Sequence, residues 1–397
     1  MSWLTAHEAL QMLGVRPQTL YANVSRKKIR AKPDPKDTRR SLYHEADVRK
    51  MARQHGGPRK ATAVAAAAIE WGDPILSSAV STVVEGRLYY RGRDAVGLSE
   101  EKAFEEVARI LWGVDGVDGG AKLRRQILKI PKSSALLPLQ RAFLALGLRA
   151  ATDLSSYGRA SSTLQAEAES VLDTLADAML DSSATPPRRG QAPQGDALHD
   201  RAAANWRRPD AADILRRALV LLADHELNAS TFATRVAVST GAPLAAGVLS
   251  GLATLTGPLH GRASLGVLEL VAGVHRAGAE VTIRDWLSQG RPIAGFGHPL
   301  YPLGDPRATA LLQRFPLPAE YAELRDVVAE AIGERPNVDF ALAALTKVFN
   351  LPQEAPLILF ALGRCAGWLA HALEQVTTGH PIRPRARYIG PRIPVSA

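Results

Sequence analysis

Hydrophobic positions along this chain recur mostly at helical spacing. Phe104, Val107, Ala108, Leu111 and Trp112 mark one face of a helix that opens near Glu100, and helices are expected to dominate from there to about Leu180. Ile214 to Thr240 reads as one long helical pattern. Its run Leu219-Val220-Leu221-Leu222 is of a buried kind, and His225 and Asn228, three apart, fall on one face with Phe232 a turn further. Pro356 to Gln375 is a second long apolar helix, carrying Leu357, Ile358, Leu359, Phe360, Leu362, Trp368, Leu369 and Leu373. Ile75 to Arg93 alternates loosely instead, which predicts short strands with a turn at Glu85-Gly86. Ala61 to Ala68 reads as a connecting helix. Ser182 to Asp210 contains Pro186-Pro187-Arg188-Arg189-Gly190, has no apolar period and is expected to be a long exposed loop.

The first 60 residues follow another plan. Thr5-x-x-Glu8 is a capping box, with Ala9, Leu10 and Leu13 on the helix face that follows and Gly14 ending it. Pro17 suits the first turn of a second helix through Leu20, Tyr21 and Val24. Two short strands around a basic loop are expected between Arg26 and Tyr43, then a third helix from Glu45 to Arg53. The segment resembles winged helix-turn-helix domains of the MerR and excisionase type over roughly residues 3–54. That resemblance implies that Gln18, Thr19 and Tyr21 face a DNA groove while Arg26, Lys27, Lys28, Arg39 and Arg40 meet phosphates. A basic surface that docks protein is the other reading. Gly56-Gly57-Pro58-Arg59-Lys60 has the composition of a linker.

Composition sharpens this division. The formal charge of +10 is uneven: residues 1–60 hold fourteen Lys/Arg against five Asp/Glu, and the remainder holds 35 against 34. The basic character therefore belongs to the front segment, where nucleic acid is the leading candidate partner. With 397 residues there is room for two or three domains. The single cysteine, Cys365, excludes an internal disulfide, argues against a Cys-based zinc site and suits a reducing cytoplasm. The N-terminus lacks the order of a signal peptide. No uninterrupted apolar stretch is expected to span a bilayer, since Pro356 to Leu373 carries Arg364 in its middle.

Candidate chemistry gathers between Gly257 and Asp339. Gly257-Pro258-Leu259-His260-Gly261, Gly295-Phe296-Gly297-His298 and Pro336-Asn337-Val338-Asp339 set two histidines and an aspartate beside Gly, Pro or Asn, residues that make loops. Three titratable groups on such backbone form a candidate acid/base site. Asn-x-Asp before an apolar run is also a helix N-cap. His225 and Asn228 read equally as a satisfied core pair or as ligand contacts. Arg364 lies among Gly363, Ala366 and Gly367, and its flanks hold no acid, so its anion comes from elsewhere in the fold or from a ligand.

Taken together, His225-Glu226-Leu227-Asn228-Ala229-Ser230, the three loops above, Asp305-Pro306-Arg307-Ala308, Gly363-Arg364-Cys365-Ala366-Gly367-Trp368 and Ile382-Arg383-Pro384-Arg385 resemble the citrate synthase family in order and spacing. Tyr90-Arg91-Gly92-Arg93-Asp94 and Phe104-Glu105-Glu106-Val107-Ala108 look like its N-terminal signature. The resemblance covers roughly residues 75–390 and implies a mainly α enzyme. A winged helix-turn-helix-like domain over 1–58 and a linker over 59–70 would precede a large domain, 71–261 with 352–397, and a small domain, 262–351. The implied reaction joins acetyl-CoA to oxaloacetate and hydrolyses citryl-CoA to citrate and CoA, in a homodimer or higher oligomer, with no cofactor, metal or membrane. Propionyl-CoA as donor, or a DNA-binding regulator with this body as its sensor, are the alternatives.

By the same resemblance Asp339 is the base, His260 hydrogen-bonds the thioester carbonyl, and His298 polarises the oxaloacetate ketone. Arg307, Arg364 and a partner subunit's copy of Arg383 hold the carboxylates, with His225 and Asn228 contacting oxaloacetate. Gly295, Phe296 and Gly297 receive the CoA adenine. The chain departs from the family's common pattern at Arg262-Ala263-Ser264 and at Pro299-Leu300-Tyr301-Pro302, where many members carry cations.

Overall fold

Glu8 donates its backbone N–H to Thr5 Oγ1 at 3.3 Å, and Thr5 donates its own to Glu8 Oε2 at 2.7 Å, so the capping box forms as expected. The computed structural model describes residues 3–13, 20, 23–24, 28–34, 37–54, 76–114, 136–180, 197–261, 263–386 and 388–391. These fall into two units, Met1–Ser77 and Ser78–Ala397.

In the first unit, β1 (Trp3–Leu4), α1 (Ala6–Leu13), β2 (Ala31–Asp34), β3 (Asp37–His44) and α2 (Glu45–Gln54) follow in order. The antiparallel sheet runs β1-β3-β2, with Trp3 opposite His44 and Ala31 opposite Tyr43. Ala9, Leu13, Leu20, Ile29, Tyr43, Val48 and Met51 form its core. Arg30 grips Asp47 at 2.8 and 2.9 Å, holding that carboxyl far below its usual range. Gln18, Thr19, Tyr21, Arg26 and Lys27 lie outside the described residues, as does the linker. Lys28 is exposed, and Arg39 and Arg40 fall in β3 with their side chains outside the described set.

The second unit opens with a β-meander, β4 (Ser81–Val84), β5 (Arg87–Tyr90) and β6 (Arg93–Asp94). Glu85 and Gly86, both at positive φ, make the expected two-residue turn. The helices are α3 (Ala95–Glu101), α4 (Phe104–Trp112), α5 (Pro138–Thr152), α6 (Ser161–Leu180), α7 (Leu198–Asn205), α8 (Ala212–Leu222), α9 (Ala229–Ser239), α10 (Leu244–Leu255), α11 (Ala263–Ala277), α12 (Ala279–Ser288), α13 (Pro306–Leu312), α14 (Ala319–Ile332), α15 (Val338–Val348) and α16 (Ala355–Thr378).

Helix α16 is apolar on every side and is wrapped by α4, α6, α8, α9, α10 and α15. By length and composition it could cross a membrane, against expectation, but 89% of its most apolar stretch is buried in this core. Its small residues set how close its neighbours come. A Cβ on Gly367 would lie 2.3 Å from Asp224 Oδ1 and 2.4 Å from the Ala223 carbonyl oxygen.

Two expectations are corrected. The tract expected to be an exposed loop holds α7, on which Leu198, Ala202 and Ala203 are buried against α4, α6 and α8. Two alanines are a weak apolar signal, and the Leu198 N–H is satisfied from afar by Glu105 Oε1 at 2.6 Å. Residues 182–196 of that tract lie outside the described set. The pattern from Ile214 to Thr240 is two helices rather than one. Helix α8 stops at Leu222, Glu226 takes φ +52°, and Asn228 caps α9 by accepting the N–H groups of Ser230 and Thr231 at 3.1 and 3.2 Å. Apolar periods on both sides of the break run in phase, which hid it.

Candidate active site

The break between α8 and α9 is pinned by the meander. Ser81 Oγ donates to Asp224 Oδ2 and accepts the Glu226 N–H at 3.0 Å, while Val83 N donates to Glu226 Oε1 at 2.7 Å. His225 thus sits in a fixed turn, not on a helix face. Asn228 spends its side-chain oxygen on the cap and donates Nδ2 to the His225 carbonyl at 3.3 Å. Ser230 is the next junction. It lies 2.8 Å from His260 Nε2, accepts from Trp368 Nε1 at 3.1 Å and is 2.7 Å from Asn228 Oδ1.

The two later loops pair with each other. Phe296 bridges Pro336, Gly297 N donates to the Arg335 carbonyl at 2.9 Å, and Asn337 N donates to the Gly295 carbonyl at 2.8 Å. Asn337 also donates Nδ2 to the Gly297 carbonyl and accepts the Asp339 N–H, both at 3.0 Å. His298 and Asp339 therefore leave the ends of one short antiparallel pairing. Gly295 stands at φ +83°, where an added Cβ would meet Val267 Cγ2 at 2.4 Å; only glycine fits.

His298 accepts the Leu300 N–H on Nδ1 at 3.1 Å, so its neutral ring carries its proton on Nε2. Its ring is 5.0 Å from that of His225 and 5.0 Å from that of Tyr301. Burial, helped by Arg307, lowers His298 to about 4. Burial and Arg364 lower His260 to about 4, and His225 falls well below the usual histidine range for the same first reason. All three imidazoles are neutral at pH 7. Asp339 is pushed up to about 6 by burial, against the pull of Arg307 and Arg364. Its Oδ1 is buried and accepts no hydrogen bond among the described residues.

The expected carboxylate-binding arginines differ. Arg307 is buried and held by Asp305 in a two-pronged pair. Arg364, equally buried, donates Nε to the Leu222 carbonyl at 3.0 Å and lies 5.0 Å from the Phe360 ring, itself 6.1 Å from His260. No carboxylate pairs with it among the described residues. Burial brings it down to about 10, opposed chiefly by Asp224, which supplies its anion at a distance. Asp224 also lies 3.2 Å from His371 Nε2. Arg383 is exposed on the tail after α16, whose start is held by Ile382 N donating to Ser239 Oγ at 3.0 Å. It is not brought to the cluster within this chain.

Sequence reasoning missed Tyr301, Ser230, Asp224 and His371. Asp224 and Ser230 flank His225 and Asn228 closely enough to have been found once the break was recognised. The cluster can polarise a carbonyl through neutral donors and remove a weakly acidic proton with a carboxylate that holds a free lone pair.

The citrate synthase C-terminal domain family model matches residues 70–385. Citrate synthase 2 of Bacillus subtilis (strain 168) is 31% identical over 350 residues, covering 79% of this chain and 93% of that protein. The 2-methylcitrate synthase of Shewanella oneidensis is 30% identical over 359 residues, covering 79% and 92%. The crystal structure of citrate synthase from Thermotoga maritima MSB8 superposes with a TM-score of 0.65 at 26% identity, covering 82% of this chain and 96% of that one.

Proposed function

This chain belongs to the citrate synthase family, and from that premise we propose how its residues join acetyl-CoA to oxaloacetate and hydrolyse citryl-CoA to citrate and CoA. It is an acyltransferase-type enzyme in which the acyl group becomes an alkyl group on transfer. No cofactor enters, because the CoA thioester is itself a substrate.

Asp339 takes a methyl proton from acetyl-CoA. A carboxylate near 6 is ionised at pH 7 yet more basic than an ordinary aspartate. His260 donates to the thioester oxygen as enolate character develops, and a neutral imidazole is a better-matched donor there than a cation. The single hydroxyl proton of Ser230 has two acceptors in reach, Asn228 Oδ1 and His260 Nε2. When His260 receives it, the imidazole proton sits on Nδ1 and is free for the enolate. The enolate carbon attacks the ketone of oxaloacetate, and His298 Nε2–H supplies the proton to the new alkoxide. Water then cleaves the thioester and frees CoA. Arg364, which pairs with no carboxylate among the described residues, receives a substrate carboxylate, and Arg307 adds to the positive field around it. His225 contacts the same substrate; Gly295, Phe296 and Gly297 receive CoA.

The observation that carries this reading is the pairing of the His298 and Asp339 loops, with an unbonded lone pair left on Asp339 Oδ1. CoA-thiol release with oxaloacetate and acetyl-CoA, lost in Asp339→Asn, tests it. Propionyl-CoA as donor is the second reading, favoured by the similarity to a 2-methylcitrate synthase. One methylene in an apolar pocket is worth only about 1–3 kcal/mol, so parallel rates with the two donors decide between them.

We take 262–351 as the smaller domain of the enzyme body, supported by the mutual packing of α11, α12, α14 and α15. The exposure of Arg383 supports a homodimer in which that side chain serves the partner's site. A cytoplasmic setting fits the lone buried cysteine. For residues 1–58 we propose DNA binding, supported by their charge and by a separate small core. Retardation of DNA that weakens steeply with salt is the expected result.

A further inference from the structure

Tyr301 has no role in the scheme above, yet three of its residues converge on it. Its phenol oxygen lies 2.8 Å from His225 Nε2. Its ring centre is 5.0 Å from that of His298 and 5.3 Å from the Arg307 guanidinium carbon. The side chain is buried, and its backbone is tied on both sides: Tyr301 N donates to the His298 carbonyl at 2.8 Å, and Gly304 N donates to the Tyr301 carbonyl at 2.9 Å. Burial and the bond to His225 hold the ring, and the backbone bonds hold its Cα beside the loop that carries His298.

The charge state of the pair follows from its surroundings. Burial pushes the phenol up to about 12 and drives His225 well below its usual range, so both are neutral at physiological pH. A neutral phenol and a neutral imidazole bring two protons to one shared hydrogen bond. If the phenol donates to Nε2, the remaining proton is on His225 Nδ1. If Nε2–H donates, the phenol proton is left over. In both arrangements one uncharged donor remains available beside two guanidinium groups. That combination suits a dianionic 2-oxo acid, one carboxylate of which takes Arg364 while its other oxygens need neutral donors.

We propose that Tyr301 is a positioning residue of the oxaloacetate site, acting through His225 by fixing the tilt of its ring and by keeping one neutral donor on the pair in either tautomer. The inference rests on the condensing-enzyme reading. Without the phenol, nothing would hold the tilt of the His225 ring, and its Nε2–H tautomer would leave the pair no second donor for the substrate.

The test compares wild type, Tyr301→Phe, His225→Gln and the double variant. Three quantities are read: KM for oxaloacetate, KM for acyl-CoA, and the rise in melting temperature caused by oxaloacetate alone. Tyr301→Phe is expected to raise the oxaloacetate KM about tenfold, as for one lost buried hydrogen bond, to leave the acyl-CoA KM unchanged and to shrink the oxaloacetate-induced melting shift. The double variant is expected to be no worse than His225→Gln. An unchanged oxaloacetate KM and melting shift in Tyr301→Phe would overturn the proposal, as would additive losses in the double variant. If wild type is stabilised by oxaloacetate but releases no CoA, the condensing reading falls and the melting shifts alone decide the role of Tyr301. If wild type does neither, both fall.

Discussion

Asp305 grips Arg307 with both carboxylate oxygens, accepting from Nε at 3.0 Å and from Nη2 at 2.8 Å, with both side chains almost wholly buried. The same carboxylate caps α13 through the Arg307 N–H and accepts the Val338 N–H, so it ties that arginine to the first turn of α15, where Asp339 sits. Arg364 has no such partner among the described residues, and the contrast divides the labour. Arg307 is a fixed part of the wall with its charge largely balanced, whereas the guanidinium of Arg364 has an end left for a ligand.

Asp305→Asn keeps the cap and removes the charge. Breaking one side of a buried pair leaves the other side uncompensated, a loss of about 3–5 kcal/mol. Urea unfolding is expected to show a drop of that order. Saturating oxaloacetate is expected to recover part of it, because a substrate carboxylate supplies the missing anion. A midpoint equal to that of wild type would remove Asp305 from this role.

The acid limb of the pH–rate profile reports Asp339. Its carboxyl titrates near 6 while His260 and His298 stay neutral down to about 4, so kcat/KM is expected to fall tenfold per pH unit below about 6. The linkage to stability has the opposite sign to a salt-bridged aspartate. A carboxyl raised on folding binds its proton more tightly in the native state, so its charge destabilises the fold above about pH 6 and not below about pH 4. Asp339→Asn is therefore expected to abolish turnover yet melt higher than wild type at pH 8, with the difference fading as pH approaches 4. A variant that melts lower at pH 8 would contradict the raised value.

Ser230→Ala removes the hydroxyl that His260, Asn228 and Trp368 share. It leaves the oxaloacetate side of the cluster in place. The expected effect is a fall in kcat of about 10–100-fold, at or below the foot of the roughly 10²–10⁴-fold that a whole acid/base group supplies because His260 itself remains, with a smaller change in the oxaloacetate KM. Steady-state rates over both substrates check it; a change confined to the oxaloacetate KM would move Ser230 out of the enolate half of the reaction.

Much of this arrangement was legible beforehand, and the parts that were not share a cause. The capping box at Thr5 and Glu8, the Glu85-Gly86 turn and the loops holding His260, His298 and Asp339 all rest on local signals within a few residues. The sequence hides the break at 223–228 because Leu219–Leu222 and the apolar positions of α9 stay in phase across it. What stops α8 there is non-local: Ser81, far back in the chain, bonds Asp224 and Glu226. Tyr301 is hidden for the same reason. Between two prolines it reads as a loop residue, and only the fold brings His225 to its hydroxyl.

Gly367 offers the sharpest test of how the core helix shapes the site. Gly→Ala inside a helix ordinarily stabilises by about 0.5–1 kcal/mol, because alanine has less backbone freedom to lose. Here the new methyl would stand 2.3 Å from Asp224 Oδ1 and 2.4 Å from the Ala223 carbonyl oxygen, in a turn that Ser81 holds through Asp224 Oδ2 and the Glu226 N–H. At Gly363, one turn earlier, the nearest atoms are Leu222 Cβ at 2.9 Å and the Leu219 carbonyl oxygen at 3.0 Å. Gly367→Ala is thus expected to reverse the usual gain into a loss of about 1–3 kcal/mol, as overpacking does, and to exceed the loss for Gly363→Ala. Because Asp224 adjoins His225 and supplies the distant anion for Arg364, the same variant is expected to raise the oxaloacetate KM while leaving that for acyl-CoA unchanged. A Gly367→Ala protein that melts at or above wild type with an unaltered oxaloacetate KM would mean that α16 slides without disturbing the break. The close approach of helix and turn would then be packing alone rather than what sets the position of His225.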